Sequence, residues 1–310
     1  MARSGRDHRP DDDRQPGPPA YQGDPIRDGT ADQRNPRRAS TPGQNRLSTK
    51  AATRARAASR RRPYPDPDRD GHYSLRDSEV ATLLEIGTFR AVTLDDLTQF
   101  RYAGDGAQAR RDLENLDRQG LIRRRTTYPE HAAYLTLTRQ GHRFIEGHRP
   151  FGLHARQVLY HGFVKPREAK HDATLYRLYQ REAERIQADG GRIQRVILDF
   201  ELKKAINREL SKVDSLSEST GNQRRREIAQ HHGLTVVNGK IPIPDLQLEY
   251  QTSDREAARV NLELATAHYH RDGLAAKAQA GFAMYALRED AAALHRAMLE
   301  TGLMEEILSL

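Results

Sequence analysis

Cysteine is absent from the 310 residues, which excludes a disulfide scaffold, cysteine-ligated zinc and thiol catalysis. Apolar residues are scarce as well. Only 36% of the chain is hydrophobic and 6% aromatic, and no uninterrupted apolar run approaches the ~18 residues that a membrane span needs. Neither a membrane-spanning chain nor a membrane partner is expected. The first residues, Met1-Ala2-Arg3-Ser4-Gly5-Arg6-Asp7, lead into charge and proline without the apolar core of a secretory signal. A soluble cytoplasmic protein is therefore the expectation. What the chain does contain is positive charge, 51 Lys+Arg against 43 Asp+Glu for a formal net of +8, and that balance points toward nucleic acid.

The surplus is uneven. Residues 1 to 70 hold 15 Arg and 1 Lys against 10 Asp and no Glu, a net of +6, which leaves +2 for the other 240 residues. The same stretch holds 10 of the 15 prolines. With so few large apolar side chains it cannot offset the entropy of ordering, so a disordered basic tail is expected over 1–70. Its run Arg54-Ala55-Arg56-Ala57-Ala58-Ser59-Arg60-Arg61-Arg62 either attracts phosphate by charge or serves as a solvated linker.

From Ser74 to Arg149 the periodicity changes. Leu75, Val80, Leu83, Leu84 and Ile86 recur at helical spacing, and Thr93 followed by Asp96 predicts a capped second helix running to Phe100. A third helix from Gly106 packs Ala109, Leu113 and Leu116 on one face. Gln108, Arg111, Asn115 and Arg118 form the predicted second face. Gly120 stands where a helix C-terminal glycine belongs, and Leu121-Ile122-Arg123-Arg124-Arg125 and Ala133-Tyr134-Leu135-Thr136-Leu137 read as a two-stranded wing. A further helix begins at Thr138. This order resembles the winged helix-turn-helix family of DNA-binding domains, over residues 74–150. A helix fits the major groove, where Arg, Asn and Gln bond base edges, while a basic wing meets phosphate. Arg111 and Asn115 are the expected base contacts, with Gln108 and Arg118 beside them. Arg110, Arg123, Arg124 and Arg125 are the expected backbone contacts. Winged helices also serve as protein-interaction modules, and the arginine triplet can be a plain exposed strand end.

An α/β domain is expected over 154–310. Lys170 to Ala188 predicts a helix ended by Gly190-Gly191, Val196 to Phe200 a buried strand, and Glu201 to Leu210 and Arg224 to His232 two more helices. Asn238-Gly239, between Thr235-Val236-Val237 and Lys240-Ile241, predicts a type I′ hairpin. Pro244 to Tyr250 and Ala258 to Ala265 alternate as strands do. Leu274 to Leu287, with Ala278, Phe282 and Tyr285 on one face, and Ala291 to Leu308 both read as helices, so no further core strand is expected.

The order helix, strand, Pro-Asp strand, Glu strand, helix resembles the PD-(D/E)xK nuclease-like fold. Combined with the winged helix it resembles the replication-relaxation family of plasmid and mobile-element proteins, over residues 74 to 290. The overall expectation is an α+β protein with a basic tail, a winged helix-turn-helix domain and a nuclease-like domain built on a small mixed sheet. In active members of the nuclease superfamily the Asp and Glu coordinate Mg²⁺ and a lysine two residues after the Glu positions water. The resemblance thus implies Asp245 and Glu263 as metal ligands, but alanine stands at 265 where the lysine belongs. Lys277, in the following helix, is the substitute. The plainer alternative is that Asp245 simply opens a strand and Glu263 is a partly buried carboxylate paired with Arg259 or a lysine.

His268-Tyr269-His270 has the His-hydrophobic-His form of nickases, with Tyr285 as nucleophile; His231-His232 has no defensible metal spacing. No Gly-rich phosphate loop, GxSxG elbow or HExxH occurs. The expected function is binding of double-stranded DNA, without a cofactor, in replication, mobilisation or regulation of a plasmid or integrated mobile element, alongside other replication or mobilisation proteins. A Mg²⁺-dependent endonuclease using Asp245, Glu263 and Lys277, and a winged-helix transcriptional regulator with a dimerisation domain, stay open.

Overall fold

A computed structural model describes residues 60–67, 70–126, 132–149, 156–162, 164–213, 218–266, 271–300 and 307–310. The expected tail up to residue 59 lies outside them. Its last part belongs to the fold. β1 (Arg62–Pro65) pairs antiparallel with β2 (His72–Leu75), a short two-stranded edge that tolerates Pro63 and Pro65 because they need donate nothing inward. Tyr64 packs edge-on to Phe144 with ring centroids 5.6 Å apart. Arg61 reaches the buried carboxylate of Glu79 at 3.0 Å and Arg62 meets Asp77 at 3.5 Å, so neither is spare charge.

α1 (Asp77–Phe89) buries Val80, Leu83, Leu84, Ile86 and Phe89, the inward stripe that its spacing predicts. β3 (Val92–Thr93) leads into α2 (Leu94–Asp96), capped as expected by the Thr93 hydroxyl accepting the Asp96 N–H at 3.0 Å, and on through one π-helical turn, Leu97–Arg101. α3 (Gly106–Arg118) starts at Asp105, whose carboxylate accepts the Gln108 N–H at 2.9 Å. Gly120, at φ +71°, turns the chain into β4 (Ile122–Thr126). β5 (Ala133–Leu137) returns between β3 and β4 in an antiparallel sheet. α4 (Arg139–Gly147) then crosses so close to this turn that a Cβ on Gly141 would sit 1.9 Å from the Leu121 carbonyl oxygen. Only glycine fits there.

α5 (Pro166–Ala188) opens with proline at its first turn, where the missing N–H is harmless. β6 (Arg192–Leu198), α6 (Asp199–Leu210), α7 (Glu218–His231), β7 (Leu246–Gln251), β8 (Ala257–Ala265), α8 (Arg271–Gln279), β9 (Ala283–Ala286), α9 (Arg288–Glu300) and β10 (Ile307–Ser309) follow. The strands form one mixed sheet in order β6, β7, β8, β9, β10. The first three are antiparallel and the last two parallel to β8. Two expectations are corrected here. The helix expected over 274–287 stops at Gln279, and Gly281 at φ +76° reverses the chain into β9, so Phe282, Met284 and Ala286 sit in the layer beneath the helices. A short apolar run reads equally as helix or strand by periodicity. The second helix, expected to Leu308, is described as far as Glu300, and residues 307–309 form a fifth strand instead of its expected end. The Asn238-Gly239 turn does form, with φ 49° and 72°, but a single bridge, Val237 to Lys240, is all the ladder it nucleates. Pro242 and Pro244 remove the donors that a longer hairpin requires.

Both faces of the sheet are covered. Leu246, Leu248, Leu262 and Leu264 join a core that continues through Tyr176 of α5 to Phe89, Leu83 and Leu116 of the winged-helix segment. Ile197, Ala265, Met284 and Ala286 pack on the other side with Leu202, Ile206 and Ile228 of α6 and α7. Phe89 and Tyr176 meet edge to face at 5.1 Å. Side chains of this size each contribute about 1.5–3 kcal/mol when fully buried, so α5 is a common wall of the two expected domains.

Candidate nucleic-acid interface and carboxylate site

α3 presents Arg110, Arg111, Glu114, Asp117 and Arg118 to solvent and buries Ala109, Asp112, Leu113, Asn115 and Leu116. The expected second face is therefore corrected at one position. Asn115 is 6% exposed, and its amide donates to the Ser74 carbonyl at 3.1 Å and to Glu79 Oε1 at 3.0 Å. It cannot reach a base. Asn115 belongs to an inward polar network in which Asp112 accepts from Arg76 and, at 2.7 Å, from the Ser78 hydroxyl. Polar residues at helical spacing look alike from sequence whether they face water or a buried partner, and here Glu79, 0% exposed, supplies that partner. Gln108 is half-buried on the first turn.

The arginine triplet divides along β4, as strand geometry requires. Arg124 turns toward α3 and, with Arg110, Glu114 and Asp117, lines an open cleft of about 530 Å³. Arg123 turns the other way. It lines a cleft of about 580 Å³ with Arg139 and Arg143 from the start of α4, and Arg123 and Arg125 both border a smaller one with Arg139. Arg139 and Arg143 were not singled out from sequence; the period of two along β4, together with the helix start at Thr138, is the signal that points to them. Arg110, Arg111, Arg118, Arg123 and Arg124 are exposed and make no ion pair or hydrogen bond among the described residues. Glu114 and Asp117 are also exposed on α3, which confines favourable phosphate contact to the flanks of the helix.

The second expected site comes together with a different character. Asp245, just before β7, accepts the Leu264 N–H of β8 at 3.0 Å, and its own N–H donates to Glu263 Oε2 at 3.1 Å. Lys277 of α8 donates to the other oxygen, Glu263 Oε1. His171 of α5 lies 3.8 Å from Asp245 Oδ1. Asp245, Glu263 and Lys277 are thus neighbours, although the last is 14 residues beyond the Glu. Ala265 is fully buried among Ile197, Leu274 and Phe282, so the layer where a lysine would stand is apolar. Arg259 pairs with Glu249 and not with Glu263.

The donor set does not fit Mg²⁺. That ion demands near-octahedral oxygen coordination and keeps several waters. Glu263 is 0% exposed with both oxygens engaged, and one oxygen of Asp245 is tied to the backbone. The nickase reading rests on His268, His270 and Tyr285. His268 and His270 lie outside the described residues, and Tyr285 is 2% exposed in β9 with its hydroxyl donating to Glu182 Oε2 at 2.8 Å. Burial and the Glu182 carboxylate push its pKa up, the reverse of what a nucleophile needs.

No protein-family model matches the sequence, and no curated protein matches it. Among solved structures, a single-substitution mutant of ZitR from Lactococcus lactis is similar over 56% of this chain and 97% of its own, at 15% identity and a TM-score of 0.24. That likeness is too slight to support any inference. Among the described residues no helix is long and apolar enough to cross a membrane.

Proposed function

We propose that the chain binds double-stranded DNA through α3 and β4. The observation that supports this is the set of five exposed arginines, Arg110, Arg111, Arg118, Arg123 and Arg124, without a partner among the described residues. They lie on the two elements that a winged helix-turn-helix presents to a duplex. A guanidinium with no internal carboxylate keeps all its donors for base edges or phosphates. Arg111 is the base reader in this reading, Glu114 is placed to accept from a cytosine amino group, and Arg110 and Arg124 hold the backbone on either side of the same cleft. By the motif resemblance, the duplex belongs to a plasmid or integrated mobile element. The role is then replication, mobilisation or regulation. The α/β part acts without cleaving, because the carboxylates that would hold a metal are occupied by Lys277 and the backbone.

The test is fluorescence anisotropy on a duplex as salt is varied, with the full chain and the triple variant Arg110→Ala, Arg111→Ala, Arg124→Ala. Each lost phosphate contact lowers the slope of log K against log salt by about 0.9, so loss of the two backbone contacts, Arg110 and Arg124, lowers it by about 2. An unchanged slope would place the DNA surface elsewhere. Supercoiled plasmid incubated with Mg²⁺ or Mn²⁺ should be retarded and return to supercoiled form after protein digestion. Nicked or linear product would instead establish cleavage.

A further inference from the structure

We propose that Glu209, His231 and His232 form a binding site for one divalent transition metal of the zinc class, clasping α6 to α7. The adjacent histidines have no ligand spacing that sequence alone would single out. The fold supplies the third ligand from the end of the preceding helix, 22 residues upstream of His231. The donor atoms of the three side chains lie within 4.8 Å of one another, and His232 Nε2 already stands 2.9 Å from Glu209 Oε1. Metal–ligand distances near 2.0–2.2 Å place neighbouring donors roughly 3–3.6 Å apart. The remaining gap closes by rotation of His231, which is exposed at the end of α7.

The turn that carries the histidines is held from beneath. Gln247 of β7 donates to the His232 carbonyl at 2.9 Å, Arg259 of β8 to the His231 carbonyl at 3.2 Å, and Asn261 to the Gly233 carbonyl at 3.0 Å. Gly233 adopts φ +67°, and a Cβ there would meet Arg259 Cδ at 2.8 Å. Three sheet side chains thus fix the backbone of residues 231–233 through its carbonyls, without engaging the imidazoles. Such outer support raises metal affinity by orienting ligands in advance. Two imidazoles and one carboxylate select Zn²⁺ or its neighbours in the transition series over Mg²⁺ or Ca²⁺. Three protein ligands leave a fourth position for water.

The experiment uses the chelator-stripped full chain titrated with Zn²⁺ by calorimetry, and with Co²⁺ by visible absorption. One equivalent is expected, with tetrahedral Co²⁺ bands and a Tm that rises with Zn²⁺ concentration. His231→Ala removes an exposed ring and leaves the fold intact, and Glu209→Gln is the second variant. Each should weaken binding at least about ten-fold, whereas His161→Ala, in the separate His142–His161 contact, should not. Absence of a saturable equivalent, or less than ten-fold weakening in both variants, overturns the proposal. So does loss of binding in His161→Ala.

Discussion

The arginines of α3 and β4 and the carboxylates at the β7–β8 junction are both concentrations of charge, yet they differ in what is left over. On the winged-helix side, five exposed guanidinium groups lack internal partners among the described residues. At the junction, every oxygen of Glu263 is engaged and its lysine is already in place. Unpaired charge in water costs little and remains available to a ligand. Charge under a helix must be neutralised within the fold, because desolvation leaves an unpaired ion strongly unfavourable. Motif matching treats the two alike. Their hydrogen-bond accounts separate charge that is available to a ligand from a structural pair.

Removing Lys277 tests that difference most severely. Lys277→Ala removes the lysine from the buried Glu263, and a broken buried pair costs about 3–5 kcal/mol. Urea denaturation should show the loss. If Lys277 instead served catalysis from an open site, the variant would keep its stability and lose only cleavage. Asp172 of α5 gives an effect on the order of 2 kcal/mol. Burial, only partly offset by Arg90 at 3.4 Å, raises its pKa to about 7, with Glu168 and Asp199 adding to the rise. The folded state therefore binds the proton more tightly than the unfolded chain. This group's contribution to stability is fully present below about pH 4 and is lost as pH rises through 7. Asp172→Asn should gain on wild type between pH 5 and pH 8, and a constant difference across that range would contradict the shift.

Much of this architecture was legible in the sequence. Thr93, Gly120 and Gly190 marked helix ends because caps and left-handed turns depend on local chemistry alone. The strands at 246–251 and 257–265 were legible because their alternation is long enough to exclude a helix. β9 was not, since six apolar residues fit either period, and β10 offers only three residues. At the sites, the exposure of Arg110, Arg111 and the wing was readable from the helix and strand periods. The inward turn of Asn115 was not, because it depends on Glu79, 36 residues away. The Glu209–His232 contact was hidden for the same reason.

Asn115→Ala follows from that correction. It should cost about 1–3 kcal/mol by stranding buried partners, while leaving the preferred DNA sequence unchanged in a binding-site selection; an altered preference would return Asn115 to the interface.

The smallest expected effect discriminates most finely within the open region. Arg124 and Arg123 are adjacent in β4 but face different clefts, so their single alanine variants should not be equivalent. Each should lower the salt slope by about 1 if it touches phosphate. Arg124 shares its cleft with α3, and its loss should also weaken whatever preference Arg111 establishes, since the two flank one stretch of groove. Arg123 is expected to change affinity uniformly across sequences. A double variant with Arg111→Ala measures this directly: coupling with Arg124→Ala and additivity with Arg123→Ala is the predicted pattern. The reverse pattern would move the reading surface from α3 to the cleft bordered by Arg139 and Arg143.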